Sequence, residues 1–246
     1  MKVLAIDTSN YVMGIALVED EVVKGEVITN LKKNHSVRVM PAIESLLAEC
    51  EVTPKELDLI VVAKGPGSYT GVRIGVTIAK TLAWTLNIPI VGVSSLEVLA
   101  ANVRYFDGLI SPLFDARRGQ IYTGLYKYEE GRLTTVEIDQ ILLSREWAQK
   151  LKKQEEKVLF IGTDYVLHQA VLLEELGERA MFAPASLQLP RPGELAFLGM
   201  SKQPESVHSF VPNYIRLAEA EAKWLERQKE QSGGTHGSFI SPNDAQ

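Results

Sequence analysis

Gly65-Pro66-Gly67-Ser68-Tyr69-Thr70-Gly71 stands between an apolar run, Leu57-Asp58-Leu59-Ile60-Val61-Val62-Ala63, and a long segment of helical character. The run is too short for a helix and long enough for a buried strand. The glycines and the proline break it. From Val72 to about Asn87 the chain reads as helix, with Ser68 or Thr70 placed to cap its free N–H groups. A strand, a tight loop and a helix N-terminus together make a place where an anion can sit. The same glycines equally serve a sharp turn and close helix–sheet packing. The named phosphate patterns fail one by one. Thr70 stands where a P-loop needs its second glycine, and Gly65, Gly67 and Gly71 miss the dinucleotide spacing by one residue. Pro66 and Thr70 flank Ser68 where a nucleophile elbow needs glycines.

The helix after the loop carries Gly71, Gly75, Ala79 and Ala83 at intervals of four, one stripe where another backbone can come close. Val72, Val76, Ile78, Leu82, Trp84 and Leu86 occupy the other faces, and only Arg73 and Lys80 are charged. A surface helix with one buried face carries a polar back. This one lacks it, so either it lies in the middle of the domain or one face docks a second subunit.

Working outward, 246 residues with 46% apolar and 23% charged content are ordinary for a globular protein and sufficient for a real core. A net charge of −5 gives no global basic field for nucleic acid. Cys50, the single cysteine, has no partner for an intramolecular disulfide, which suits a reducing compartment. Val3 to Ile6 is too short an apolar run for a signal peptide, and no stretch reaches the ~18 residues of a membrane span. The expected location is cytoplasmic, with no membrane partner.

Val3 to Ile6 reads as a buried strand ending in Asp7-Thr8-Ser9-Asn10, followed by strands over 11–18 and 22–28. A meander of three strands with an acidic residue closing the first suggests a ribonuclease H-like or actin-like half. Asp7 is there either as a metal or phosphate holder or as a turn residue bonding its own backbone. A helix follows from Ser36 or Val37 to Cys50, with Val39, Ile43, Leu46 and Cys50 along one side. His35 at its start has Val39 at i+4 and Leu31 at i−4, so it reads as a capping or hydrogen-bonding residue, not a metal ligand. No metal site is expected. A strand at 90–93 and a helix from Ser94 or Ser95 to about Arg104 complete the half.

The second half repeats the order: a strand Leu109–Asp115 that again ends in aspartate, strands over 120–128 and 133–138, and a helix over 144–153. A strand at 157–162, a helix over 164–176 and a helix over 193–200 follow. The expected domains are a first lobe at 1–105, a second, reduced lobe at 106–225, and a disordered polar tail at 226–246.

Val3-Leu4-Ala5-Ile6-Asp7-Thr8-Ser9, His35-Ser36, the loop from Gly65 to Gly75, Asp115-Ala116-Arg117-Arg118-Gly119-Gln120-Ile121-Tyr122 and Pro212-Asn213-Tyr214-Ile215-Arg216 together resemble the bacterial TsaB family, also called YeaZ. The resemblance covers roughly residues 1–225. It implies an α/β, actin-like (ASKHA) fold of two ribonuclease H-like lobes, with mixed sheets flanked by helices. It also implies membership of the complex that forms N6-threonylcarbamoyladenosine at position 37 of ANN-decoding tRNAs. In that family the catalytic subunit is a paralogue, TsaD, with an H-x-x-x-H metal pair; this chain has His35 and then Val39. Actin-like ATPases follow the second-lobe aspartate with glycines, where this chain has Arg117 and Arg118.

The resemblance therefore implies a non-catalytic scaffold without cofactor, which pairs with a TsaD-like paralogue and a TsaE-like ATPase. It would form a homodimer when the paralogue is absent, and meet tRNA only through the complex. Val39, Ile43, Leu46, Cys50, Val72, Gly75, Ala79 and Ala83 are the expected partner interface. Asp7, Ser68, Thr70, Arg117 and Arg118 form a candidate anion site. The competing reading is a stand-alone actin-like ATP-binding or ATP-hydrolysing enzyme built on Asp7, the Gly65–Gly71 loop and Asp115. A peptidase on Ser68 or His35 lacks the convergent groups that such chemistry needs.

Overall fold

The structure, a computed structural model, describes residues 1–215. Arg216 of the closing motif, the end of the expected second lobe and the expected tail at 226–246 lie outside the described residues.

Strands β1 (Lys2–Asp7), β2 (Val12–Glu19) and β3 (Val22–Asn30) form the expected meander. Helix α1 (Val39–Glu49) follows a short 3-10 turn at His35–Val37, with Pro41 tolerated in its first turn. Strand β4 (Leu59–Ala63) leads through the glycine loop into α2 (Tyr69–Leu86), and β5 (Ile90–Val93) into α3 (Ser95–Ala101). These five strands form one mixed sheet in the order β3-β2-β1-β4-β5, with β1 antiparallel to β2 and parallel to β4.

The second half repeats this topology. Strands β6 (Leu109–Asp115), β7 (Gln120–Glu129) and β8 (Arg132–Leu143) form the meander, followed by α4 (Ser144–Leu151) and β9 (Val158–Ile161). Helix α5 (Tyr165–Leu176) then leads to β10 (Ala180–Phe182), a strand too short to read from the sequence, and α6 (Pro192–Met200) is the last helix among the described residues. The second sheet runs β10-β9-β6-β7-β8, with β6 antiparallel to β7 and parallel to β9. Each strand of one sheet therefore has its counterpart at the same place in the other. This is the actin-like arrangement of two ribonuclease H-like lobes.

Alternation along β1 sends side chains to two different layers, as the pleat requires. Leu4 and Ile6 pack with Val39, Ile43, Val72 and Val76 of α1 and α2. Val3 and Ala5 point the other way, to Leu195 and Ala196 of α6. In the second sheet Leu109 and Leu113 meet Trp147 of α4 and Leu172 of α5, whereas Ile110 and Phe114 meet Leu96 and Leu99 of α3.

The two central helices are exchanged relative to chain order. Helix α3, which the sequence attaches to the first half, covers the second sheet. Helix α6, which follows the second sheet, lies on the first. The reason is in the composition of α3: Ser95, Leu96, Val98, Leu99, Ala100 and Ala101 are all buried, so the helix needs apolar neighbours on both sides. The middle of the molecule supplies them.

Candidate functional site

The C-terminal ends of β1 and β4 meet the start of α2 at one corner of the first sheet. Ser68 is the residue that caps α2, with backbone in the extended region and its hydroxyl accepting from the Gly71 N–H at 3.3 Å. Thr70 lies exposed in the first turn of the helix. The loop is fastened to the turn after β1 by two bonds. The Ser68 N–H donates to the Ser9 carbonyl at 2.7 Å, and the Thr8 hydroxyl donates to the Gly71 carbonyl at 2.7 Å. A Cβ on Gly67 would lie 2.1 Å from the Ser9 carbonyl oxygen, and one on Gly71 2.2 Å from that of Thr8. The glycines here serve the close approach of two backbone segments.

Asp7 closes β1 with its side chain turned inward and only 1% of the residue exposed. Its Oδ1 accepts from the Ser9 N–H at 2.8 Å. Its Oδ2, the Ser9 hydroxyl and His35 Nδ1 are buried without a hydrogen-bond partner. His35 Nε2 lies 2.8 Å from the Asn10 carbonyl oxygen, so that nitrogen carries the proton and the ring fastens the 7–10 turn. Burial pushes the Asp7 carboxyl above the ordinary 3.8; the Ser9 N–H, and more weakly His35, pull it back.

A carboxyl whose folded value is raised stabilises the fold most below the ordinary value. That contribution is lost as pH rises through the raised one. Asp7→Asn keeps an acceptor for Ser9 and removes the buried charge. Urea unfolding at pH 7 is expected to show the variant more stable than the parent, with a flatter pH dependence above 3.8. A marked loss of stability at pH 7 would mean that the ionised carboxylate is itself held by a cation.

Arg117 and Arg118 belong to the turn between β6 and β7, at the corresponding corner of the second sheet. Both are exposed, and both hold left-handed backbone, at φ 66° and 55°. Asp115 beside them takes His168 Nε2 at 3.1 Å on its Oδ1, and its N–H donates to Asp164 at 3.0 Å. The five residues of the candidate anion site are thus divided between two corners: Asp7, Ser68 and Thr70 on one sheet, Arg117 and Arg118 on the other. Among the described residues no group of three His, Cys, Asp or Glu could hold a metal ion.

The expected partner face requires correction. Val39, Ile43, Leu46, Val72, Ala79 and Ala83 are buried in the first-sheet core, Gly75 is buried against Thr8 and Val62, and Cys50 is partly covered beside it. The small-residue stripe lets α2 approach its own sheet, not another subunit. A sequence stripe shows only that something comes close, and here the sheet does.

The outward rows carry other residues. Trp84 is 69% exposed, Val37 and Met40 are exposed near the start of α1, and Ile74 and Ile78 are half-buried along α2. At the start of α2, the Arg73 guanidinium stacks 4.0 Å from the Tyr69 ring centre, and its Nε donates to the Tyr214 hydroxyl at 2.6 Å. The i, i+4 spacing of Tyr69 and Arg73 was visible in the sequence. That Tyr214 would join them was not.

Residues 23–224 match the family model described as TsaD, tRNA N6-adenosine threonylcarbamoyltransferase. The tRNA threonylcarbamoyladenosine biosynthesis protein TsaB of Bacillus subtilis is 60% identical over 93% of this chain and 100% of its own length. That of Buchnera aphidicola from Schizaphis graminum is 34% identical over 65% of this chain and 77% of its own. The solved YeaZ structure from Pseudomonas aeruginosa superposes with a TM-score of 0.74 at 25% identity, covering 87% of this chain and 99% of that one.

Proposed function

Since the chain belongs to the TsaB (YeaZ) family of tRNA threonylcarbamoyladenosine biosynthesis proteins, we propose that it serves that pathway as a non-catalytic subunit. It pairs through the outward rows of α1 and α2 with the TsaD-type paralogue that carries the transferase chemistry. A TsaE-type ATPase joins the pair, and self-pairing through the same face occurs when the paralogue is absent. Contact with tRNA is made through the complex.

The observation that carries this reading is an apolar outer face on helices whose inner face is already satisfied. Trp84, Met40 and Val37 stand exposed on the side of the first sheet where α1 and α2 have already buried their core rows. The corner residues support the non-catalytic part. Asp7 is enclosed with His35, and Val39, which stands where the resemblance places a second metal-binding histidine, is buried in the core. Arg117 and Arg118 fill with long side chains the turn that would need bare backbone to admit a phosphate. The competing ATPase reading needs a solvent-open Asp7, and its carboxylate is not open.

Sedimentation of the protein alone, and mixed with the TsaD-type protein of its own organism, tests the proposal. A self-dimer that converts to a one-to-one heterodimer is expected. Trp84→Glu removes an exposed aromatic anchor and adds a charge, with an expected loss of about 2 kcal/mol, roughly 30-fold in affinity, and unchanged unfolding. Indifference to the paralogue, or full affinity in the variant, would overturn the assignment of this face.

A further inference from the structure

Strands β7 and β8 are joined by a tight turn, yet β8 uses 12 residues to span the 10 of β7. The register slips twice. Thr123 faces Gln140 and Leu125 faces Glu137, so Ile138 and Asp139 together oppose Gly124; a second slip follows at Leu125/Tyr126. Bulges of this kind re-aim a side chain. Ile138 is turned to solvent, at 78% exposed, and the Asp139 carboxylate is turned inward. There its Oδ1 accepts from the Tyr126 hydroxyl, and its Oδ2 accepts from the Ser94 hydroxyl. Room for it depends on Gly124, where a Cβ would stand 2.8 Å from Asp139 Oδ1.

Ser94 is more than an acceptor's partner. Its oxygen caps α3, accepting from the Leu96 N–H at 3.1 Å and the Glu97 N–H at 3.3 Å. Its neighbour Ser95 is tied to the loop that leads into α2. The Ser95 N–H donates to the Gly65 carbonyl at 3.0 Å, and the Gly65 N–H donates to the Ser95 hydroxyl at 3.1 Å. One continuous line of bonds thus runs from the bulge of the second sheet, through Asp139 and the start of α3, to the loop of the first. Burial pushes the Asp139 carboxyl above its ordinary value, and its two hydroxyl donors offset part of this.

We propose that Asp139 is a positioning residue, a latch by which the second sheet fixes the 94–95 corner and, through Gly65, the loop that starts α2. The inference concerns the chain by itself and does not depend on which partner α2 meets. With the latch intact the two sheets keep one relative setting. Without it, α3 retains its apolar contacts but its first turn and the Gly65–Gly71 loop lose their tie to the second sheet.

Amide hydrogen exchange on the full chain tests this, with Asp139→Ala, Asp139→Asn and Ser94→Ala compared with the parent. In Asp139→Ala, exchange is expected to rise at least tenfold at residues 65–71 and 94–97, while β6, β9 and α5 keep their protection. Asp139→Asn, which can still bond both hydroxyls, is expected to restore most of it. Ser94→Ala also removes the α3 cap, so the double variant with Asp139→Ala is expected to be no worse than Ser94→Ala alone. Unchanged exchange at 65–71 in Asp139→Ala would overturn the latch. So would a uniform loss of protection across the second sheet, or additive effects of the two alanines. Should Asp139→Ala fail to fold, the same comparison is made with Tyr126→Phe, where faster exchange at 65–71 is expected and parent-like rates there would overturn it.

Discussion

Gly75→Arg is expected to abolish the native fold. Gly75 sits in the middle of α2 on the row that faces the sheet. A Cβ there would stand 2.6 Å from the Thr8 hydroxyl and 3.7 Å from Val62. Thr8 cannot retreat, because its hydroxyl is committed to the Gly71 carbonyl one turn earlier. An arginine would therefore force α2 off the sheet or bury a guanidinium among Val62, Val72 and Val76. Overpacking alone costs about 1–3 kcal/mol, and an unpaired buried charge several more. The sum is comparable with the whole stability of a typical domain. Circular dichroism and a urea titration will show whether the transition survives. A folded variant with near-parental stability that failed only to pair with a partner would return the stripe to the surface. Gly75→Ala should cost less, because it sets one methyl against Thr8 and buries no charge.

Phe210→Ala has the second largest expected effect. Phe210 is 2% exposed and belongs to the core that α1 and α2 make with the first sheet. It anchors the strap that closes the described chain. Glu205 N–H donates to the Ile90 carbonyl at 2.9 Å, Lys80 donates to the Phe210 carbonyl at 2.8 Å, and Asn213 N–H donates to the Lys64 carbonyl at 2.7 Å. Each of these bonds is modest in water-exposed surroundings. The aromatic ring is the buried part of the strap and holds the rest in place. Removing it is expected to cost about 3–5 kcal/mol. Proteolysis after residue 202 should become easier, and the Tyr214–Arg73 contact should be lost with it. A loss below 1 kcal/mol would mean that the polar ties hold the strap without the ring.

Much of the architecture was legible in the chain itself. The run Val3 to Asp7, its counterpart Leu109 to Asp115, and the meander after each carried the duplication, because a strand buried on both faces must be apolar over most of its length, as β1, β2 and β6 are. The start of α2 was legible to within a turn, with Ser68 or Thr70 as its cap, because capping is local; the structure takes Ser68 and begins the helix at Tyr69, not Val72. Strand β10 was not, since its three residues carry no period, and it exists only because β9 offers it an edge.

The site was read less well, for a physical reason that differs residue by residue. Gly71, Gly75, Ala79 and Ala83 declare in sequence that a backbone approaches, and nothing in that spacing says whose backbone it is. Asp7 announces a strand end, and its enclosure by His35 comes from the bond that this ring makes to Asn10, 25 residues before it in the chain. Asp139 gives no signal at all, because its inward turn depends on two register slips that only the paired strands create.

By itself, then, the sequence determined the repeated order of strands and helices, the caps and turns, and the family to which they belong, all properties of neighbours along the chain. The tertiary structure alone decided which helix covers which sheet, which face of α2 stays exposed, and which carboxylate joins the two halves. Those are settled by competition among apolar surfaces for the same buried space, and that competition is resolved only when the whole chain has packed.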